Sequence, residues 1–141
     1  MPIGKGDLEI GKEAPVFFNE EELDNHTFYS NDKNIILNFW SVSDPQSRIR
    51  NRELAQLVSS AENNDKILVS ICVSEEKTLQ EEILRIDGIS SKNVISKNVD
   101  EIDANLYKDF QLESGLRSFL IDRHGILRKI TPTKDDIISF S

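Results

Sequence analysis

The chain is nearly devoid of cysteine: Cys72 is the only one in 141 residues, so no internal disulfide can brace the fold in any compartment. The structure must stand on packing alone. With only two histidines, His26 and His124, and that single thiol, there is no Cys/His cluster, so neither a zinc site of the usual kind nor another cofactor is expected. Long apolar runs are also missing. Nothing approaches the roughly 20 residues of a membrane span, and the opening "MPIGKGDLEIGKEAP" lacks the apolar segment of a secretory signal. Either the protein stays inside the cell, or a leader has been removed from a protein of the periplasm or cell envelope. Positive charge is scarce, at 17 Lys and Arg against 25 Asp and Glu, a formal net charge of -8. Such a surface repels nucleic acid and anionic membrane in bulk, and either partner would need a local basic patch. Internal repeats and low-complexity segments are absent, and the one acidic concentration, "NEEELDN", reads as a solvated turn.

What is present suffices for one core: 38% of residues are hydrophobic and 30% charged, the balance of a single well-solvated domain over 1–141. Residues 1–14 read as an extended arm. "APVFF" and "HTFY" flank the acidic turn as a small hairpin. "NIILNFW" is a strand buried on both faces. Asp44 then caps a helix that opens with Pro45 and carries Ile49, Leu54, Leu57, Val58 and Ala61, about four turns ended by "NND". "KILVSICVS" is a second buried strand. "TLQEEILRIDG" is a helix capped by Thr78 and stopped by Gly88. "NVISKNV" fits strand or loop, and "DEIDANLYKDF" a short helix. "LRSFLIDRHGILRKI" reads as two strands joined at Arg123-His124-Gly125, and Pro132 and Thr133 introduce a last helix over "KDDIISF". Parallel strands joined by helices and followed by a hairpin predict an α/β protein: a mixed sheet with helices on both faces.

Three segments in this order carry a resemblance. "IGKEAPVFF" is similar to an opening Gly-x-x-Ala-Pro-x-Phe, "IILNFW" to a central strand, and "FLIDRHGIL" to a Phe-Leu-Ile-Asp-x-x-Gly hairpin. Together they resemble the thioredoxin superfamily, and within it the TlpA/ResA-like thiol-disulfide oxidoreductases that neighbour the peroxiredoxins. The resemblance implies a thioredoxin-like fold with an N-terminal hairpin extension. It also locates the family's reaction at "FWSVSDPQSR", where Asp44 and Ser47 stand at the two redox cysteines and the peroxidatic cysteine would fall at or next to Asp44. A carboxylate and a hydroxyl cannot exchange with a disulfide. The family's cis-proline beside that site is matched by Leu116 in "ESGLRSFLID", and all four prolines of the chain (Pro2, Pro15, Pro45 and Pro132) lie elsewhere. Because a non-proline cis bond costs about 3 kcal/mol, Leu116 is expected to be trans and the backbone edge offered to substrate altered.

The remaining candidates each have a structural and a functional reading. Asp44 is explained as an N-cap whose charge complements the helix start. Arg48 and Arg52 share a helix face beside that start, while Arg50 points elsewhere; they form either a dock for an acidic peptide or small anion, or a solvated face paired with Glu53 and nearby acids. Ser43, with Ser47, is a candidate hydrogen-bonding group for a small thiol, and Trp40 with Phe39 either lines a groove or packs in the core. Cys72, mid-strand, reads as a small buried hydrophobe. No catalytic residue is expected. The sequence therefore points to a redox-inactive thioredoxin-like module that binds a protein or peptide at the former active-site groove. The alternative is a non-dithiol enzyme of the same fold, a thiol-binding transferase or a reductase that depends on a partner's cysteines.

Overall fold

The computed structural model describes residues 8–15, 33–60, 65–73, 77–88, 93–98 and 106–140. Five strands form one sheet in the order β3-β2-β1-β4-β5: β1 (Asn34–Trp40), β2 (Lys66–Cys72), β3 (Val94–Asn98), β4 (Ser118–Ile121) and β5 (Leu127–Ile130). β1 pairs parallel with β2 and antiparallel with β4, so the strand richest in branched and aromatic residues takes the centre. All seven residues of β1 are buried. The ambiguous "NVISKNV" is a strand, paired parallel with β2. The helices among the described residues are α1 (Pro45–Val58), α2 (Lys77–Ile86), α3 (Leu106–Asp109) and α4 (Lys134–Ser139), with a 3-10 turn at Leu112–Ser114.

Alternation along the strands divides the core between the two sheet faces. Ile35, Leu37, Phe39, Ile67, Val69, Ile71, Phe119 and Ile121 pack with Phe110 and Leu112 after α3. Phe39, Phe110 and Phe119 form a ring trio with centroids 5.0–6.0 Å apart. On the opposite face Ile36, Leu68 and Leu120 meet Leu54, Ala55 and Val58 of α1 and Ile137 of α4. Trp40 and Cys72 meet Ile83 of α2. The mixed sheet is thus covered on both faces.

Local chemistry sets most boundaries. Asp122 fixes the β4–β5 turn: Oδ1 accepts from the backbone N–H groups of His124 and Ile126, and Oδ2 accepts from Arg128. Gly125 takes the positive φ this turn requires, 86°. A reciprocal capping box of Thr133 and Asp136 opens α4. Gly88, at φ 68°, closes α2. That helix starts at Lys77, so Thr78 stands inside it and is not its cap. The first residues described lie against β5, with Gly11 N–H donating to Leu127, Leu127 N–H to Lys12, and Ala14 N–H to Gly125. The expected hairpin of "APVFF" and "HTFY" spans 14–29 and, beyond Ala14 and Pro15, lies outside the described residues.

Candidate functional site

The segment that joins β1 to α1 is a closed polar knot. Asp44 has extended backbone (φ -117°, ψ 96°) and caps α1, its carboxylate accepting from Ser47 N–H at 3.3 Å. The Ser47 hydroxyl donates to the Asp44 carbonyl at 2.9 Å and accepts from Ser41 N–H at 3.1 Å. It is 1% exposed. Ser41 and Ser43 hydroxyls lie 3.1 Å apart, and Ser43 N–H donates to Ser41 Oγ. Ser47 is therefore consumed by the loop. Ser43 is exposed, but its hydroxyl and N–H both lean on Ser41.

α1 turns a stripe of Ser47, Asn51, Leu54, Ala55 and Val58 toward the sheet, the four-three spacing of a buried helix face. Ile49 falls off that stripe and is 45% exposed, although its apolar character suggests a core position. The first half of the stripe is polar and rests on polar strand residues. Asn51 Oδ1 accepts from Asn38 Nδ2 at 3.0 Å and from Ser70 Oγ at 2.7 Å, all three residues fully buried. Asn38 Oδ1 and Asn51 Nδ2 are left without a hydrogen-bond partner among the described residues. Ser118 continues this polar layer, since Asn38 is in register with Ser70 on β2 and with Ser118 on β4. The second asparagine of "NIILNFW", Asn38, set among apolar neighbours, is the main mark this cluster leaves in the sequence.

The arginines separate by function. Arg48 forms a two-pronged pair with Asp87, Nε to Oδ2 and Nη2 to Oδ1, each at 2.9 Å. Arg52 reaches the same carboxylate at 3.9 Å. Asp87 has a side chain only 3% exposed, and the hydrogen bonds from Arg48 hold its carboxyl below the ordinary range against the cost of burial. The partner on this face is thus Asp87, at the end of α2, and not Glu53. Arg50 turns the other way and donates from Nη1 to the carbonyl of Leu116 at 3.2 Å. The described peptide bonds are all trans, that before Leu116 included. Gly115 precedes it at φ 132°, and the Arg117 guanidinium holds the carbonyls of Phe110 and Gln111. Leu116 is therefore trans as expected, and Arg50 caps the backbone edge there.

Trp40 is 1% exposed and packs against Cys72 and Ile83. It belongs to the core and lines no groove. Cys72 is fully buried at the end of β2, as its position in the strand suggests. Asp44, Ser43, Ser47 and Arg48 come together around the start of α1, and Leu116 joins them only through Arg50. A concavity lies farther along α1, lined by Arg50, Leu54, Leu57, Ser118, Pro132 and Lys134 among others. Among the described residues no group of three or more His, Cys, Asp or Glu side chains could hold a metal ion, and no helix is long and apolar enough to cross a membrane.

No family model matches the chain, and no curated protein matches it. Solved structures do. A thioredoxin-like protein from Parabacteroides distasonis is 25% identical with a TM-score of 0.70, covering 92% of this chain and 91% of that one. The thioredoxin domain of a thiol-disulfide oxidoreductase from Bacteroides vulgatus superposes as well at 13% identity, with a TM-score of 0.70 and 94% of each chain covered. A thiol:disulfide interchange protein of the thioredoxin family from Chlorobium tepidum is 19% identical, with a TM-score of 0.62 over 93% of this chain and 96% of that one. A parallel β1–β2–β3 half joined to the β4–β5 hairpin, with helices on both faces, makes this chain a thioredoxin-superfamily protein by its fold, the fold of the thiol-disulfide oxidoreductases.

Proposed function

We propose that the protein is a redox-inactive module of thioredoxin fold, a binding or accessory protein derived from thiol-disulfide oxidoreductases that engages a protein or peptide partner on the face around α1. The observation that carries this reading is the bonding of Ser47 and Asp44, which stand where the family keeps its redox sulfurs. Their polar atoms serve the helix cap and the turn before it, and neither can exchange with a disulfide. Cys72 offers no substitute, because it is fully buried, and thiol exchange needs an accessible thiolate. An insulin-reduction assay and a dithiol-oxidation assay test the reading. The expected result is a rate equal to the reductant-only background, unchanged by Cys72→Ser. Turnover that disappears on Cys72→Ser or Asp44→Ala would refute it.

A further inference from the structure

Between α1 and the segment that leads into α4 runs a groove of about 600 Å³, a volume within the range of small-ligand sites. Its floor is Leu54 and Ser118, both buried, with Leu57 and Pro132 as apolar walls. Arg50 and Lys134 stand on its rim, together with Glu53. Like Lys33, Lys108 and Arg117, these two cations are not neutralised by a carboxylate among the described residues, and they are the two that line a groove. Elsewhere in this acidic chain Arg48 and Arg52 meet Asp87, Arg128 meets Asp122, Arg85 meets Glu82, and Lys66 meets Asp65. Arg50 and Lys134 have no carboxylate partner among the described residues, Glu53 included. Arg50 spends one N–H on the Leu116 carbonyl, out of the five a guanidinium carries. Thr131, which links β5 to Pro132, holds a positive φ of 53° unusual for a non-glycine residue, a kind of conformation that clusters at ligand clamps.

We propose that this groove binds a carboxylate attached to a short apolar group. The carboxylate sits between Arg50 and Lys134, and the apolar part lies on Leu54, Leu57 and Pro132. Two cations beside one acid, Glu53, leave a single net positive charge, which suits a monoanion better than a phosphate dianion. Apolar walls next to a charged rim give the amphipathic character of the ligand. A peptide C-terminus and a free organic acid share this chemistry. The inference rests on the reading of the chain as a binding module and names the ligand class for it. Because Arg50 also caps Leu116, a ligand that draws it away uncovers the backbone edge at the entry to β4.

The test is a 15N NMR titration of the full chain with four probes: 4-phenylbutyrate, its neutral amide, acetyl-Leu-Leu with a free carboxylate, and the same dipeptide amidated. Saturable shifts of the Leu54, Leu57, Ser118 and Lys134 amides are expected with the acids, and binding about tenfold weaker or more with the amides, given the strength of charge-assisted hydrogen bonds. Arg50→Gln and Lys134→Gln should each weaken acid binding by a similar factor, and Arg48→Gln should leave it unchanged. Binding of both acids supports a general carboxylate site, and binding of the dipeptide acid alone supports a peptide terminus. Absence of saturation with either acid, equal binding of acids and amides, or full affinity in both groove variants overturns the proposal. Such a failure is distinguishable from failure of the redox-inactive reading, which turnover lost on Cys72→Ser or Asp44→Ala in the insulin-reduction or dithiol-oxidation assay would bring about.

Discussion

Ser47→Ala isolates the hydroxyl buried in the loop that opens α1. The substitution deletes one donor to the Asp44 carbonyl and the acceptor of Ser41 N–H. Ser41 and Ser47 are both buried, so the orphaned N–H is not simply returned to water. An unsatisfied buried donor costs about 1–3 kcal/mol. Losing the cap through Asp44→Ala costs about 1 kcal/mol. The two residues bond to each other directly, so the double variant should fall short of the sum by at least about 0.5 kcal/mol. In urea, at a slope of about 2 kcal/mol per molar, a 2 kcal/mol loss for Ser47→Ala lowers the unfolding midpoint by about 1 M. Ser47→Cys sharpens the test. It restores the family's atom, but a thiol is a weaker donor and acceptor than a hydroxyl, so this variant should also be less stable than the native chain. A Ser47→Ala midpoint within about 0.2 M of native, or strict additivity with Asp44→Ala, would refute the claim that this hydroxyl is committed to the loop.

Other outcomes follow from the same geometry. Burial raises the Asp122 carboxyl, but the N–H groups of Ile126 and His124 and the Arg128 side chain outweigh it and hold the group below its ordinary range. The folded chain then binds fewer protons than the unfolded chain near pH 4, so stability is fully present above the unfolded value, about 3.9, and falls as pH drops through the lower folded one. Asp122→Asn should flatten that acid slope in urea titrations between pH 5 and pH 2, in addition to a loss of about 1–3 kcal/mol at neutral pH from the weakened Arg128 bond. Asp87→Asn breaks the two-pronged contact with Arg48; because that arginine is 35% exposed, a loss of about 1–2 kcal/mol is expected in urea unfolding, smaller at high salt. Phe110→Ala empties the ring trio and should cost about 3–5 kcal/mol, read as a drop in thermal midpoint of 6 °C or more at about 2–4 °C per kcal/mol.

The fold was legible because its signals are short-range. Strands β1 and β2 are mostly apolar runs bounded by polar turns, Asp44-Pro45 marks a helix start, and Gly88 and Gly125 sit where a positive φ is needed. Each of these depends on a few neighbouring residues. Burial on a helix is less local. Ile49 looks like a core residue until the stripe facing the sheet is known, and that stripe begins with Ser47 and Asn51 because the strand residues beneath are Asn38 and Ser70. Trp40 could wall a groove or fill a core, and only the approach of Ile83 from α2 decides for the core. The arginines were the hardest to read. Their partners, Asp87 and the Leu116 carbonyl, lie 39 and 66 residues away in sequence, and no spacing rule reaches that far.

These distant pairings change what the start of α1 has to offer a ligand. A polar group already bonded inside the protein contributes to recognition only after that bond is broken, and for a charge-assisted pair the loss is about 1.5–3 kcal/mol. Asp44, Ser47, Arg48 and Arg52 are all spent in this way on the cap, the turn and Asp87. Arg50 and Lys134 are not. Arg50 gives up one bond to a neutral carbonyl, and Lys134 has no carboxylate among the described residues, so an incoming anion meets donors that no carboxylate already holds. The positive charge nearest the helix start is therefore the less available one. Binding energy is to be sought a turn and more along α1, where the charges have been left unmatched.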